Sequence, residues 1–217
     1  MDWHSWHDNY DRPDSHLAKR LEQVQRQIRA VLDEAPPGPL RAVSLCAGQG
    51  RDLLGVLSDH ARRGDVRARL VELDPRNAEA ARTRARAAGL ENVEIVTGDA
   101  SITDHYHGIA PADLVLLCGV FGHTTLTDIE HTVGMCCQLC EVGGTVIWTR
   151  GRTAPDRVPL ICEWFESRGF DRRWLSAPAV GFGVGAHRFH GEPTALARGQ
   201  RMFTFTDSDV LRQQGGW

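Results

Sequence analysis

Apolar and polar positions along the chain switch between two periods, and the switching predicts an α/β fold. The first periodic stretch spans residues 15–34. Leu17, Leu21, Val24, Ile28, Val31 and Leu32 fall on one helical face, and Ser15 stands where an N-cap belongs. About three heptad-like repeats are too few for a coiled coil, so this face is expected to lie on a sheet. Pro36-Pro37-Gly38-Pro39 ends the helix. Short β-branched and apolar runs then read as strands at 41–46, 66–73, from 93, at 113–118, 145–149 and 170–175. Helical patterns separate them at 51–63, 75–89, 125–140 and 152–169. Asp74-Pro75 supplies an N-cap and a proline at the first helical position, Gly89 a C-cap, and Thr125-Leu126-Thr127-Asp128 a capping-box-like start.

One junction carries most of the chemistry. The run Val43-Ser44-Leu45-Cys46-Ala47-Gly48-Gln49-Gly50-Arg51-Asp52-Leu53 takes a strand through two glycines into a helix start. Such a turn points backbone N–H groups into a crevice, and glycine is needed wherever a ligand comes within contact of the main chain. The next strand ends in Glu72-Leu73-Asp74, and the third in Gly98-Asp99-Ala100. Three strands with polar punctuation at their carboxyl ends describe a nucleoside site in an open α/β sheet.

This order resembles the class I S-adenosylmethionine-dependent methyltransferases over residues 40–150, and in particular a subgroup typical of high-GC bacteria. The resemblance implies a three-layer sandwich with a seven-stranded, mostly parallel sheet and an antiparallel last strand, preceded by an N-terminal helix and arm. It assigns the last strand to the alternating Met202-Phe203-Thr204-Phe205-Thr206, while 181–189 is either an extra strand or a pocket rim. It also implies S-adenosylmethionine as cofactor and S-adenosylhomocysteine as product. The backbone of Cys46, Ala47, Gly48, Gln49 and Gly50 would border the methionine part. Glu72 would accept from both ribose hydroxyls, since a carboxylate offers two donors only acceptors. Leu73 would lie on the adenine face, beside Asp74. Asp99 would accept from the adenine amino group, with the backbone at Ala100 and Ser101 near the ring, and Cys118 and Gly119 would close the site. Cys46 stands at the family's first glycine position and Ser44 where an acid is usual, so Asp52 is the candidate substitute.

Composition narrows the partners. At 217 residues, the chain divides into an arm and helix at 1–36, read as a lid, and a methyltransferase domain at 37–217. A net charge of −3 gives no electrostatic footprint for nucleic acid. No apolar run suits a membrane span, so a cytoplasmic monomer or homodimer is expected. The six cysteines include Cys137 and Cys140 at metal-like spacing, but nothing nearby completes a tetrahedral set, and no metal site is expected.

The acceptor is expected to be a small molecule. The fourth strand ends in Cys118-Gly119-Val120-Phe121-Gly122-His123, without the Asn/Asp-Pro-Pro-aromatic box of amino-methylating DNA enzymes. His123 is the candidate general base. Arg150, His187 and Arg188 are candidates to orient an anionic acceptor. Trp3, Trp6, His7 and Tyr10 need a surface to bury against, which suggests a lid with Trp6 contacting the acceptor and His7 or Tyr10 reaching its hydroxyl. Two other classes stay open, a dinucleotide-dependent oxidoreductase and a non-catalytic donor-binding or scaffold protein. The first would need a glycine where Leu53 stands.

Overall fold

The computed structural model describes residues 10–12 and 14–206. Its elements in order are α1 (His16–Glu34), β1 (Leu40–Leu45), α2 (Leu53–Leu57), β2 (Val66–Glu72), α3 (Pro75–Ala87), β3 (Val93–Thr97), β4 (Ala112–Leu117), α4 (Leu126–Leu139), β5 (Cys140–Gly151), α5 (Val158–Glu166), β6 (Phe170–Leu175) and β7 (Phe182–Phe189). The strands form one sheet in the order β3-β2-β1-β4-β5-β7-β6. The pairs among β1 to β5 are parallel, and β7 runs antiparallel to both β5 and β6.

Two apolar layers hold the three-layer sandwich together, one on each face of the sheet. Val24, Ile28 and Leu32 of α1, Leu53 and Leu54 of α2 and Ala81 of α3 pack with Ala42, Leu70, Leu116 and Ile147 on one side. Ile129 and Val133 of α4 and Ile161 and Phe165 of α5 pack with Val43, Leu45, Val115 and Trp148 on the other. The α1 face is therefore a sheet-facing surface, as its spacing predicts, and Ser15 caps it by accepting from Ala18 N–H at 3.0 Å. Its far end is bolted down by Arg62, which donates to the carbonyls of Leu32, Ala35 and Gly38 at 3.3, 2.7 and 2.7 Å. The first two are carbonyls that a helix terminus otherwise leaves without partners.

The seventh strand is the main correction to the sequence reading. It is Phe182–Phe189, and residues 202–206 form no strand. The cause is glycine. A Cβ on Gly185 would collide with the Trp148 indole, and one on Gly183 with Val158. Those bare positions let neighbouring side chains pack directly on the strand, but in sequence they resemble a loop. Residues 200–206 instead run as a strap over the loops after β3 and β4. Met202 N–H donates to Ser101 at 2.8 Å, Thr103 N–H to Gln200 at 3.0 Å and Thr206 N–H to His123 at 2.8 Å.

A second correction concerns the helix after the glycine turn, which has five residues rather than thirteen. Ser58 Oγ bonds back to the Gly55 carbonyl at 2.8 Å, and the His60 ring accepts from Arg62 N–H at 3.1 Å. Side chains that bond locally to the backbone compete with helix continuation, and here they turn the chain. Likewise α5 starts only at Val158, whose N–H donates to Asp156 at 2.9 Å.

Candidate functional site

The strand order reverses between β1 and β4, and ligand crevices in open α/β sheets form at such a switch point, outside the carboxyl ends of the strands. A cavity of about 560 Å³ lies there. Its floor is Cys46, Ala47, Gly48 and Gln49, and one wall is Glu72, Leu73, Asp74, Pro75, Arg76 and Asn77. Cys118, Gly119 and His123 form the opposite wall, while Tyr10, Arg20, Leu21, Val24 and Phe205 close over it.

The floor owes its shape to unusual backbone. Cys46 has φ 52°, alone among the described non-glycine residues in being positive, and Gly48 and Gly50 follow at 56° and 66°. A left-handed cysteine is costly, and such strain gathers at ligand sites. The conformation explains how Cys46 occupies a position the resemblance gives to glycine. Gly50 faces away from the cavity: a Cβ there would lie 2.6 Å from Leu54 and 3.0 Å from Leu70.

Glu72 organises the wall. It is 8% exposed. One carboxylate oxygen accepts from Gly48 N–H at 2.8 Å and the other from Asp74 N–H at 2.9 Å. Burial pushes its pKa up against these bonds. Next to it Leu73 is 67% exposed, an apolar side chain left in water at the cavity edge. Asp74 caps α3, and hydrogen bonding from Arg76 holds its carboxyl down to about 2. At the base, buried Asp52 caps α2 through Leu53 N–H at 2.7 Å and is hydrogen-bonded to the Cys118 thiol, and burial raises both groups.

The roof is anchored by arginines. Arg20 donates to the Tyr10 hydroxyl at 3.3 Å, and Arg51 lies 5.6 Å from the Tyr10 ring centre while bonding Asp11 at 2.5 Å and Gln49 at 3.1 Å. The histidine on the far wall, His123, is lowered to about 4, first by burial and then by the nearby Arg20 and Arg150.

Several candidates stand elsewhere. Asp99, Ala100 and Ser101 do not line the cavity. Asp99 accepts from Ser101 N–H at 3.0 Å and its hydroxyl at 2.7 Å, and from Arg201 at 2.9 Å, which outweighs burial and lowers its pKa. Phe121 is fully buried against Trp148, and the equally buried Arg150 donates to the Phe121 carbonyl. His187 and Arg188 pair with Val146 and Thr145 in the middle of β5, and neither lines the cavity. The expected strand-end cluster does not form because β7 is antiparallel: its first residue, Phe182, pairs with Gly151 at the carboxyl end of β5, and its later residues run back from that end. Trp3, Trp6 and His7 fall outside the described residues. The sequence reading gave Arg20 no role, took Leu21 and Val24 only as sheet-facing helix, and took Phe205 as strand, yet all four line the cavity.

His187 has a structural task instead. It accepts from Trp148 Nε1–H at 3.1 Å and lies against both Trp148 and Phe165, which also stack on each other at 6.1 Å. Burial, foremost, depresses its pKa to about 3. The unfolded chain binds this proton near pH 6.5 and the folded chain only near 3, so stability falls as pH drops through that window, by up to about 1.4 kcal/mol per unit. His123 adds to the same loss down to about pH 4. Urea midpoints should therefore fall steadily from pH 7 to 4.5. His187→Phe should be less stable at pH 7 but have a flatter profile, and an unchanged slope would contradict the account.

No family model matches the sequence, and no curated protein matches it. Solved structures share its fold. An O-methyltransferase family protein from Burkholderia thailandensis superposes with a TM-score of 0.64 at 17% identity, covering 80% of this chain and 56% of that one. The CurJ carbon methyltransferase gives 0.64 at 15%, covering 85% and 58%. The 1,6-didemethyltoxoflavin-N1-methyltransferase of Burkholderia thailandensis, with bound 1,6-didemethyltoxoflavin and S-adenosylhomocysteine, gives 0.62 at 17%, covering 87% and 84%. The chain thus spans 56–58% of the length of the first two. The chain shares its fold with these methyltransferases. No helix among the described residues is long and apolar enough to cross a membrane.

Proposed function

We propose that the cavity binds S-adenosylmethionine and that the protein transfers its methyl group to a small molecule. The observation that carries this is the Glu72–Gly48 contact beside an exposed Leu73. A buried carboxylate fixed to the glycine loop retains lone pairs for two vicinal hydroxyls, and an apolar side chain next to it offers a nucleobase a dry face. That pairing of acceptors with an apolar face fits a ribonucleoside, and S-adenosylhomocysteine bound to one neighbour of this fold supports the choice.

When bound, the cofactor supplies an electrophilic methyl on a sulfonium; the chain's residues bind, orient and exclude water. Glu72 holds the ribose and Leu73 covers the adenine. The backbone of residues 46–50 borders the amino-acid portion, and Asp52 faces its ammonium. Asp99 does not line the cavity, so its assignment to the adenine amino group rests on the resemblance and on a part-exposed carboxylate that keeps lone pairs beyond those used by Ser101 and Arg201. His123, neutral at pH 7, stands on the acceptor side, where it can take a proton from a hydroxyl or an amine. Tyr10, at the roof, supports reading this end of the chain as a cover over the acceptor; Trp6 and His7 lie outside the described residues. Leu53, wholly buried where a dinucleotide fingerprint needs glycine, argues against the oxidoreductase reading.

The test is transfer of labelled methyl groups from S-adenosylmethionine in a cell extract fractionated by size. Label should enter the low-molecular-weight fraction. Label entering RNA, DNA or protein would contradict a small-molecule acceptor.

A further inference from the structure

The cavity is chemically divided. Glu72 and Asp74 lie on the β2 side, whereas the side made by α1, the β4 loop and the strap carries Arg20, His123 and Phe205. Phe205 is 42% exposed, one of four large apolar side chains exposed among the described residues. Its ring is held firmly nonetheless. Phe203 stacks against it at 5.6 Å and 26°, and His123 meets it edge-on at 5.9 Å and 61°. Arg201 pins the strap behind it, donating to Asp99 at 2.9 Å and to Ser101 at 2.6 Å. An aromatic ring fixed by its neighbours and presented to a cavity is a stacking surface whose ordering is already complete before a ligand arrives.

Net charge on this side is positive, two guanidinium groups against the buried carboxyl of Asp52, which bonds Cys118 and lies near Arg20. Arg20 lines the cavity, and Arg150 lies buried at the carboxyl end of β5. Both guanidinium groups act on His123 and, after burial, help to keep its imidazole uncharged. A water-poor wall with cations above a neutral ring favours an anion over a neutral or cationic guest.

We propose that this half of the cavity binds a planar aromatic acid, its ring stacked on Phe205 and its carboxylate turned toward Arg20. The proposal rests on the reading of the β2 side as the donor site, and it adds the class of acceptor. Phe205 is thereby a specificity-determining residue, and the strap bonds that hold it are part of the acceptor site. The same guanidinium chemistry would also suit the donor's own carboxylate, so the experiment must separate the two.

Protein saturated with S-adenosylhomocysteine is titrated calorimetrically with salicylate, 4-hydroxybenzoate, 4-hydroxycinnamate and 3-hydroxy-2-naphthoate. Each is paired with its uncharged carboxamide, and cyclohexanecarboxylate serves as the non-aromatic acid. At least one aromatic acid should bind roughly tenfold or more tighter than its amide and than cyclohexanecarboxylate. Phe205→Ala and Phe205→Leu should each remove about tenfold of that affinity while leaving S-adenosylhomocysteine binding within about twofold. Arg20→Met should erase the preference for acid over amide. Equal binding of every acid and its amide would overturn the proposal, as would an unaltered affinity in both Phe205 variants. Arg20→Met that weakens S-adenosylhomocysteine but keeps the acid preference would assign the arginine to the donor and overturn it as well. Wild-type protein that fails to take S-adenosylhomocysteine would refute the underlying donor-site reading instead, a result visible before any acid is added.

Discussion

Glu72→Gln should bind S-adenosylhomocysteine about five- to a hundredfold more weakly than the wild type, a loss of roughly 1–3 kcal/mol. The amide keeps the shape of the side chain but replaces one acceptor oxygen by a donor. Both carboxylate oxygens already serve backbone N–H groups, of Gly48 at 2.8 Å and Asp74 at 2.9 Å. Whichever way the amide turns, its NH₂ meets one N–H donor head-on and offers a ribose hydroxyl a poorer partner. Glu72→Ala should be worse in a second respect. By local rules a strand-end acid is dispensable for folding, but at 8% exposure this one satisfies two N–H groups, and stranding them costs stability of about 1–3 kcal/mol. Calorimetric titration and urea denaturation of the two variants separate these effects. Wild-type affinity in Glu72→Gln would refute the assignment of the ribose to this residue.

Gly48→Val should abolish measurable binding in a protein that still folds. Gly48 has φ 56°, where a β-branched residue is a severe outlier, and its N–H is the one that meets Glu72. Relief of roughly 1–2 kcal/mol of strain requires the loop to move, and moving it breaks that bond and reshapes the cavity floor. Gly64→Ala is the control, because nothing lies within 4 Å of a Cβ there and its φ is not positive. Circular dichroism should show both variants folded, with only the first failing to bind in a titration. Retained affinity in Gly48→Val would mean that the ligand does not rest on this loop.

The contrast between these residues and the strap shows what a sequence can reveal. The strands β1 to β4, the caps at Ser15, Asp74 and Thr125, and the apolar face of α1 all follow local rules of period and capping, and all appear where those rules put them. Cys46, Gly48, Glu72, Asp74 and Cys118 line one cavity because parallel strands deliver their carboxyl ends to the same edge. What was illegible depends on contacts between distant segments. The glycines of β7 are intelligible only beside Trp148 and Val158. The Met202–Phe205 pattern mimics a strand, but Met202 and Phe203 are buried in the core and Phe205 reaches the cavity. Leu21 looks toward the sheet by period alone, yet the first turns of α1 overhang its carboxyl edge and so roof the site. No local signal distinguishes an apolar position that covers a sheet from one that covers a ligand.

The central claim is that the β1–β2–β4 cavity is a nucleoside site for a sulfonium donor. Calorimetric titration of the wild-type protein with S-adenosylhomocysteine, set against NAD and NADP under the same conditions, tests it most directly. The account predicts saturable one-to-one binding of S-adenosylhomocysteine and no heat from either dinucleotide. Binding of a dinucleotide without S-adenosylhomocysteine would contradict it.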